Sequence, residues 1–413
     1  MNKDDVIVGL DIGSNKVRVL VAKINNETED VQIVGMGESQ SLGMRRGTII
    51  DVEETTTSIS NALEKAERTS GIPIEHAFVS FSGSNVIAQP SEGVIAVGRA
   101  DNEISEEDVS RVIEAASAIS LPANYEILHV IPKSFTVDNQ EGVKDPVGMN
   151  GIRLKVETLI IEGSTTNIKN LSKCISRSGL EIDDLVTSPL AISYSLLNKK
   201  QKDLGIASVD IGSGTTGLIV FEEGDIIHTS ILPIGSEHIT NDLAIGLRTS
   251  IETAEKVKLE YGYARASDVN KKDKIDLSKI DSKENQIVTK KHISEIIEAR
   301  LSEIFSMVNR ELKKIGKVGK LPAGIILSGG GVKLPGIVDL AKQDLKLPAQ
   351  IGFPENIKGV IERLDDPTYA TVVGLIFWGK SHTDKQKTGM RMQISSVSDT
   401  VGKIRGWFKN FLP

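Results

Sequence analysis

The sequence predicts an α/β protein with two similar halves around a cleft and a small α+β segment inserted into the first half. Strand-like apolar runs alternate with amphipathic helical patterns along the 413 residues. Asp-Ile-Gly-Ser begins at Asp11 and recurs at Asp210, an offset of 210 − 11 = 199 residues. The segment 84–161 follows neither half's pattern. A duplication with an interdomain cleft is the simplest architecture that explains this repeat.

Composition excludes several classes of protein. With 39% hydrophobic and 25% charged residues, a large core is feasible and wholesale disorder is excluded. A net charge of −7 argues against a protein that binds nucleic acid over its whole surface. The single cysteine, Cys174, excludes a disulfide framework and a Cys-rich zinc site. No apolar run reaches about 18 residues, and the N-terminus lacks the features of a signal peptide, so we expect a cytosolic chain.

In the first half, two apolar runs around a Gly/Ser/Asn turn predict a β-hairpin. They are Val6–Leu10 and Val17–Ala22. Apolar residues at helical spacing predict a helix over Asp51–Ser70, and a strand follows at 77–81. The hairpin therefore opens a mixed strand and helix layer.

The segment 84–161 mixes short strands with one helix and is predicted to be a separate small α+β subdomain. The helix begins near Ser105, where a hydroxyl is followed three residues later by Asp108 in the pattern of a capping box. The predicted strands are Val94–Val97, Glu126–Ile131 and Leu154–Ile161.

In the second half, the opening pattern returns as a strand at 206–210, a glycine-rich turn and a strand at 218–221. Later elements complete a second α/β layer: helices at 241–261 and 293–315, a strand at 324–327 that runs into Ser-Gly-Gly-Gly, and an apolar helix at 369–378.

Gly212–Gly217 matches G-x-G-x-x-G, but a strand follows it, where a dinucleotide site needs a helix. No Gly-Lys-Ser/Thr follows at the spacing of a P-loop. The remaining interpretation is a hairpin turn whose N–H groups and hydroxyls wrap phosphate oxygens. Each turn alone fits an ordinary hairpin, but two matched copies and the glycine turn at 329–331 favour phosphate binding.

Each predicted phosphate turn follows an aspartate at the end of a strand. Asp11 and Asp210 would bring negative charge close to phosphates, which is unfavourable without a cation. Mg²⁺, held through carboxylates, phosphates and retained waters, resolves that conflict. On a separate helix, Glu255 and Lys258 lie three residues apart, and by themselves they fit a solvated ion pair on one helix face.

Taken together, these motifs resemble the actin-like ATPase superfamily and, within it, the bacterial cell-division family FtsA. The resemblance covers essentially the whole chain. The inserted segment and the tail separate this family from MreB-like shape proteins and from the rest of the superfamily. The markers are Ile7–Val21, Ser188–Leu197, Ala207–Phe221, Asn241–Gly262, Ile325–Gly336, Tyr369–Trp378 and the C-terminal tail.

The resemblance implies an actin-like (ribonuclease H-like) fold that holds ATP and Mg²⁺ in the cleft. Asp11 and Asp210 would lie near the metal and its waters, and no residue is identified as a catalytic base. Weak ATP hydrolysis at most is implied. The implied nucleotide-binding residues are Ser14, Asn15, Lys16, Gly212, Ser213, Gly214, Thr215, Thr216, Glu255, Lys258, Gly329, Gly330, Gly331 and Val332.

The resemblance also implies a subdomain layout. The predicted parts are a first core (1–83 and 162–197), the insertion (84–161), a second core (198–240 and 305–379), a small subdomain (241–304), a flexible linker (380–396) and an amphipathic helix (397–413).

The C-terminal tail has the pattern of a helix that lies in a membrane interface. From Lys380 onward seven basic residues oppose two acids, so the tail carries +5 and the remaining chain −12. On a helix, the tail's apolar residues fall within an arc of roughly 140°, with basic residues outside it. Docking on the body is the alternative, which the polar linker disfavours. The apolar set is Val397, Val401, Ile404, Trp407, Phe408, Phe411 and Leu412, and the basic set is Lys403, Arg405 and Lys409.

The implied function is that of an actin-like, ATP-binding cell-division protein. It would form filaments and bind the C-terminal peptide of the tubulin-like FtsZ through 241–304. It would also tether FtsZ filaments to the cytoplasmic membrane at the septum, as a peripheral membrane protein. Other division proteins would dock on 84–161, and binding of nucleic acid is not expected. Two alternatives share the fold: a small-molecule kinase, and a PilM-like pilus-assembly protein, which is expected to lack the tail.

Overall fold

The computed structural model describes residues 6–25, 28, 30–98, 101–359 and 364–386. The first half begins with the predicted hairpin and continues into a third antiparallel strand. The elements up to the insertion are β1 (Val6–Ile12), β2 (Lys16–Ile24), β3 (Val31–Gln40), β4 (Met44–Arg45), β5 (Thr48–Ile49), α1 (Val52–Ser70) and β6 (His76–Phe81).

The insertion folds as a four-stranded antiparallel sheet with one helix. Its strands are longer than predicted. Two β-bulges keep β8 and β10 paired over their length, and β7 pairs with β10 without a bulge. Ser105 and Asp108 form the predicted capping box. The elements are β7 (Val86–Ala96), α2 (Glu106–Ser117), β8 (Tyr125–Val137), β9 (Gln140–Val143) and β10 (Arg153–Ser164), in the order β7-β10-β8-β9.

The chain then returns to the first half and crosses into the second. The elements are α3 (Thr165–Arg177), β11 (Glu181–Thr187), α4 (Ser188–Leu196), α5 (Lys199–Leu204), β12 (Ile206–Ile211), β13 (Thr216–Glu222), β14 (Asp225–Leu232), α6 (Ser236–Leu247), α7 (Ile251–Tyr261), β15 (Lys274–Asp276), β16 (Ile287–Thr289), α8 (Lys290–Lys314), β17 (Ile325–Ser328), α9 (Ile337–Leu345), β18 (Ala349–Ile351), β19 (Ile357–Gly359) and α10 (Ala370–Gln386).

The two halves are built around similar sheets. The first has the strand order β11-β6-β1-β2-β3-β19 and the second β14-β13-β12-β17-β18. In each, an antiparallel hairpin lies beside a parallel strand: β1 pairs with β2 and β6, and β12 pairs with β13 and β17. The predicted duplication therefore extends beyond the hairpins to their parallel neighbours.

The predicted helix over 241–261 is two helices. Arg248 adopts the left-handed conformation (φ 53°) that ends α6, and the Ser250 side chain accepts a hydrogen bond from the Thr253 N–H and caps α7. The apolar periodicity continues across the break because both helices pack on the same core.

The C-terminal part of the predicted second core lies with the first half. Strand β19 pairs in parallel with β3 of the first sheet. Helix α10 packs on α4, where a Cβ on Gly374 would lie 1.9 Å from the Ala191 carbonyl oxygen. The assignment of the whole of 305–379 to the second core is therefore wrong from β19 onward. The prediction follows the order of the chain, whereas residues from β19 onward pack on the first half.

Helix α10 also corrects the predicted linker. It continues through Gln386, so residues 380–386 are helical. No proline interrupts this stretch, and Gly379 is packed against Ile7 and Phe78, which keeps the helix on the sheet. The rest of the linker and the whole of the predicted amphipathic helix lie outside the described residues.

Candidate functional site

The two repeated hairpins close in the same way. In the first, the Gly13 N–H donates to the Lys16 carbonyl oxygen at 3.0 Å. In the second, the Gly212 N–H donates to the Thr215 carbonyl oxygen at 2.9 Å. The repeated Asp-Ile-Gly-Ser sequence thus corresponds to a repeated backbone turn.

Each strand-end aspartate is held by a serine that the sequence analysis missed. The Ser80 hydroxyl on β6 donates to Asp11 Oδ1 at 2.7 Å, and the Ser328 hydroxyl on β17 donates to Asp210 Oδ1 at 2.9 Å. Both serines lie on the parallel strand next to their aspartate's strand. Aligning the sequences of these two parallel strands, one from each half, would have shown a serine in both.

The carboxylate of Asp11 lies close enough to Asp210 for its charge to act on it. Asp11 is 7% exposed, and burial raises its pKa against the opposing effects of Arg18 and the Ser80 hydrogen bond. Burial also raises the pKa of Asp210 to about 6; the negative charge of Asp11 adds to the increase and the Ser328 hydrogen bond opposes it. The centre of the cleft therefore carries negative charge that is poorly compensated.

The two turns meet directly. A Cβ on Gly214 would lie 2.7 Å from Ser14 Oγ and 2.9 Å from Arg46 Cα. Glycine is required here by close approach, because any side chain would collide with the opposite half. Two residues predicted from different halves, Ser14 and Gly214, are thereby brought together.

Other predicted members of the turns have structural partners. The Thr216 hydroxyl is fully buried and donates to the Ile234 carbonyl oxygen at 2.8 Å, so its side chain is used within the second half. The Ser213 carbonyl oxygen accepts from the Glu237 N–H at 2.9 Å, which anchors the first turn of α6 on the second hairpin turn. The backbone N–H groups of the turn, rather than the Thr216 hydroxyl, are the candidate donors.

Lys16 points along the sheet surface. Its ammonium pairs with Glu38, which also accepts from Arg18 Nε at 3.1 Å. The backbone of Asn15 accepts from the Ser41 N–H at 2.8 Å. The first turn therefore has its lysine engaged with a carboxylate of the same half.

Glu255 and Lys258 do not form an ordinary surface pair. Lys258 is 6% exposed, and its Nζ lies 2.6 Å from Glu255 Oε2 and 2.8 Å from Thr240 Oγ1. The predicted solvated pair is therefore wrong for Lys258, because Thr240 on α6 and the packing of α7 enclose its side chain. Glu255 keeps a more exposed side chain beside it.

The third glycine turn lies over the second aspartate. Gly329 has a φ of 87°, and a Cβ there would lie 2.7 Å from Asp210 Oδ1. Gly330 follows Gly329, and the next two residues, Gly331 and Val332, are buried. This turn completes one wall of the cleft that both hairpins face.

These residues fit a nucleotide with a divalent cation. Within the described part of the chain, no group of three or more His, Cys, Asp or Glu side chains could hold a metal by itself. Two facing aspartates with raised pKa values leave most ligands to phosphates and water, which is the usual situation for Mg²⁺. A cation there would relieve the repulsion between Asp11 and Asp210.

Comparison with known proteins gives matches over both parts of the chain. The family model "Cell division protein FtsA" matches residues 207–374, and "SHS2 domain inserted in FTSA" matches 83–162. The curated FtsA of Borreliella burgdorferi is 39% identical over 409 residues, which is 98% of this chain and 98% of that protein. The FtsA of Bacillus subtilis is 38% identical over 97% of this chain and 89% of that protein.

The chain belongs to the FtsA family of cell division proteins. The SHS2 match coincides with the predicted insertion to within one residue at each end. FtsA proteins from Pseudomonas aeruginosa and Escherichia coli K12 are 36% and 31% identical over 95% and 98% of this chain.

Solved structures confirm the actin-like fold of this FtsA-family chain. A chain of the PilM–PilN type IV pilus biogenesis complex aligns with a TM-score of 0.66 and 17% identity, over 91% of this chain and 98% of that one. MreB5 of Spiroplasma citri bound to ADP aligns with a TM-score of 0.54 and 13% identity, over 93% and 99%. At these identities the likeness shows the fold alone.

The predicted membrane residues cannot be placed in this site. All ten, from Val397 to Leu412, lie outside the described residues. Among the helices that are described, none has the length and apolar character needed to cross a bilayer.

Proposed function

We propose that this FtsA-family chain binds ATP with Mg²⁺ between its repeated hairpins, forms filaments, and tethers FtsZ filaments to the cytoplasmic membrane at the division septum. The observation that carries the nucleotide part is the meeting of two matched turns, each preceded by an aspartate held by a serine. Similar structures of MreB5 are described as bound to ADP and to AMPPNP, which supports this choice of ligand.

The chain's own groups would divide the binding work. Backbone N–H groups of the two turns would donate to phosphate oxygens, and Asp11 and Asp210 would hold waters of a Mg²⁺ ion, which supplies charge neutralisation when bound. Glu255 and Lys258 would lie at the ribose or base, as membership of the FtsA family implies. Gly329–Val332 would pack on the nucleoside.

The tail supports the membrane part of the proposal. Half-buried apolar side chains contribute about 1 kcal/mol each, and basic residues near anionic lipid add up to about 1 kcal/mol each. Ordering the helix offsets much of this gain, so a single tail binds reversibly. A row of tails on one filament binds by avidity, which links polymerisation to attachment.

The proposed partner surfaces follow the subdomain layout. We assign the FtsZ C-terminal peptide to the small subdomain 241–304, and later division proteins to the insertion. In this proposal nucleotide occupancy sets the angle between the halves and hence the filament contacts, with hydrolysis that is weak at most.

Calorimetric titration with ATP in Mg²⁺ buffer tests the nucleotide site. We expect saturable binding that weakens strongly when EDTA removes Mg²⁺ and when Asp11 is replaced in Asp11→Asn. A surface variant, Asp339→Asn, removes one charge at a side chain that is 57% exposed and should bind like the parent. Undetectable binding by the parent chain in Mg²⁺ buffer would refute the proposal.

Co-sedimentation with anionic vesicles and MgATP tests the tether. We expect the full chain to pellet with vesicles and a chain truncated after Gln393 to remain in solution. Neutral phosphatidylcholine vesicles are the control for the basic residues and should recover less protein. If full-length and truncated chains stay in solution alike, the tail is not an anchor; phosphoryl transfer to a small acceptor would then favour the kinase alternative.

A further inference from the structure

The short hairpin of β4 and β5 lies against both phosphate turns. The Gly47 N–H donates to Ser14 Oγ at 3.0 Å, which fixes the hairpin tip to the first turn. On the other side, Arg46 Cα lies 2.9 Å from where a Cβ of Gly214 would be. This tip, Arg46–Gly47, therefore bridges the two halves at the point where the turns meet.

The backbone of the tip fixes the position of Arg46. Arg45 pairs with Thr48, so the connection has two residues, and both adopt positive φ angles: 50° for Arg46 and 71° for Gly47. This is the geometry of a type I′ turn, in which glycine, asparagine and aspartate are the usual residues. An arginine in the first central position is uncommon, and it places a cationic side chain at the tip.

Arg46 is a cation without a carboxylate partner in the described part of the chain. Lys16, the cation predicted for the first turn, is paired with Glu38, which also binds Arg18. Arg46 is exposed, yet its charge reaches the second half: burial lowers the pKa of His238 in the first turn of α6, and the positive charge of Arg46 lowers it further. The guanidinium is therefore a positive charge beside the turns that no carboxylate of the described residues neutralises.

We propose that Arg46 is a further phosphate-binding residue of this cleft, one that clamps the polyphosphate of the nucleotide from the tip of the β4–β5 hairpin. Its guanidinium fork matches the spacing of phosphate oxygens and can donate two hydrogen bonds at once. It supplies positive charge from the first half to a site whose own carboxylates are negative. The inference rests on the proposed nucleotide site.

The clamp also links ligand and cleft closure. The tip touches Ser14 of the first turn and the backbone at Gly214 of the second. A phosphate bound both by the Arg46 side chain of the first half and by the turn of the second half would therefore hold the two halves together. This contact recognises the polyphosphate of the ligand and not its nucleoside.

Titration of full-length variants with MgATP tests the clamp. Arg46→Gly removes the guanidinium and tolerates the positive φ, so the hairpin is kept; Arg46→Lys keeps the charge without the fork. We expect MgATP affinity to fall by about 10-fold or more in Arg46→Gly and by less in Arg46→Lys. Arg45→Ala, one residue away and also exposed, is the matched control and should bind like the parent.

A labelling experiment gives a readout that does not depend on variants. Phenylglyoxal modifies exposed guanidinium groups, and mass spectrometry can compare Arg46 with its neighbour Arg45 in the same peptide. We expect MgATP to protect Arg46 and leave Arg45 reactive. Equal protection of both residues, or parent-like affinity in Arg46→Gly, would overturn the clamp while the nucleotide site stands. Absence of binding by the parent chain would instead refute the nucleotide site and the clamp with it.

Discussion

The carboxyl group of Asp210 predicts an unusual dependence of stability on pH. Its pKa is raised to about 6 from an ordinary value of 3.8, first by burial and then by the nearby charge of Asp11. That difference corresponds to about 3 kcal/mol. Because the folded chain binds this proton more tightly than the unfolded chain does, protonation stabilises the fold below about pH 4. The contribution is lost as pH rises through about 6, so without ligand the ionised group destabilises the protein at neutral pH.

Asp210→Asn should remove that destabilisation. Asparagine has nearly the same shape and keeps an oxygen that can accept from the Ser328 hydroxyl, which lies 2.9 Å from Oδ1 in the parent. At about 2–4 °C per kcal/mol for a unit of 150–250 residues, a gain of about 3 kcal/mol raises the melting temperature by about 6 °C or more. We expect this rise at pH 7.5 in EDTA without nucleotide, and a smaller rise at pH 5.

Thermal denaturation between pH 5 and 8 measures the effect. Ser328→Ala removes a hydrogen bond that lowers the pKa of Asp210, so the fall of its melting temperature with rising pH should continue to a higher pH than in the parent. Asp339→Asn, on the surface of α9, should leave the pH profile unchanged. If Asp210→Asn melts at or below the parent temperature at pH 7.5, the charge repulsion inferred for this cleft is wrong.

Two further predictions concern packing and capping. Gly374→Ala should lower the free energy of unfolding by about 3 kcal/mol or more, because its Cβ would lie 1.9 Å from the Ala191 carbonyl oxygen. The midpoint of urea denaturation measures this loss, and Gly98→Ala is the control, since a Cβ there meets only an arginine side chain at 3.4 Å. Equal midpoints for the two variants would contradict the prediction. Ser105→Ala should cost about 1 kcal/mol by removing the N-cap of α2. Faster amide hydrogen exchange confined to the insertion would support this cost, and unchanged exchange would count against the cap.

The repeated hairpins and the insertion could be predicted because their signals are local. Asp-Ile-Gly-Ser at Asp11 and Asp210 marks a turn within a few residues, and the capping box at Ser105 needs only three residues to be recognised. Hydrophobic periodicity supplied the strands around them. These features depend on near neighbours in the chain, so a single sequence contains them in full.

What the sequence did not reveal depends on contacts between distant residues. Ser80 reaches Asp11 across 69 positions, and nothing in a serine at the end of a strand identifies its partner. The positive φ of Arg46 is imposed by a two-residue hairpin whose Arg-Gly sequence is not one of its usual pairs. Helix α10 was assigned by its place in the chain, whereas its apolar faces are divided between α4 and the first sheet.

Helix α10 gives the C-terminus a mechanical connection to the cleft. It packs on β1, where a Cβ on Gly9 would lie 2.9 Å from the Val372 carbonyl oxygen, and β1 ends at the strand position of Asp11 and the first turn. At the middle of α10, Trp378 is fully buried and its Nε1 donates to Asp184 Oδ2 of β11 at 2.9 Å. Tension applied to the chain beyond Gln386 would therefore be borne by the first sheet, at a strand whose Gly9 lies four residues before Gly13 of the turn where phosphate is proposed to bind.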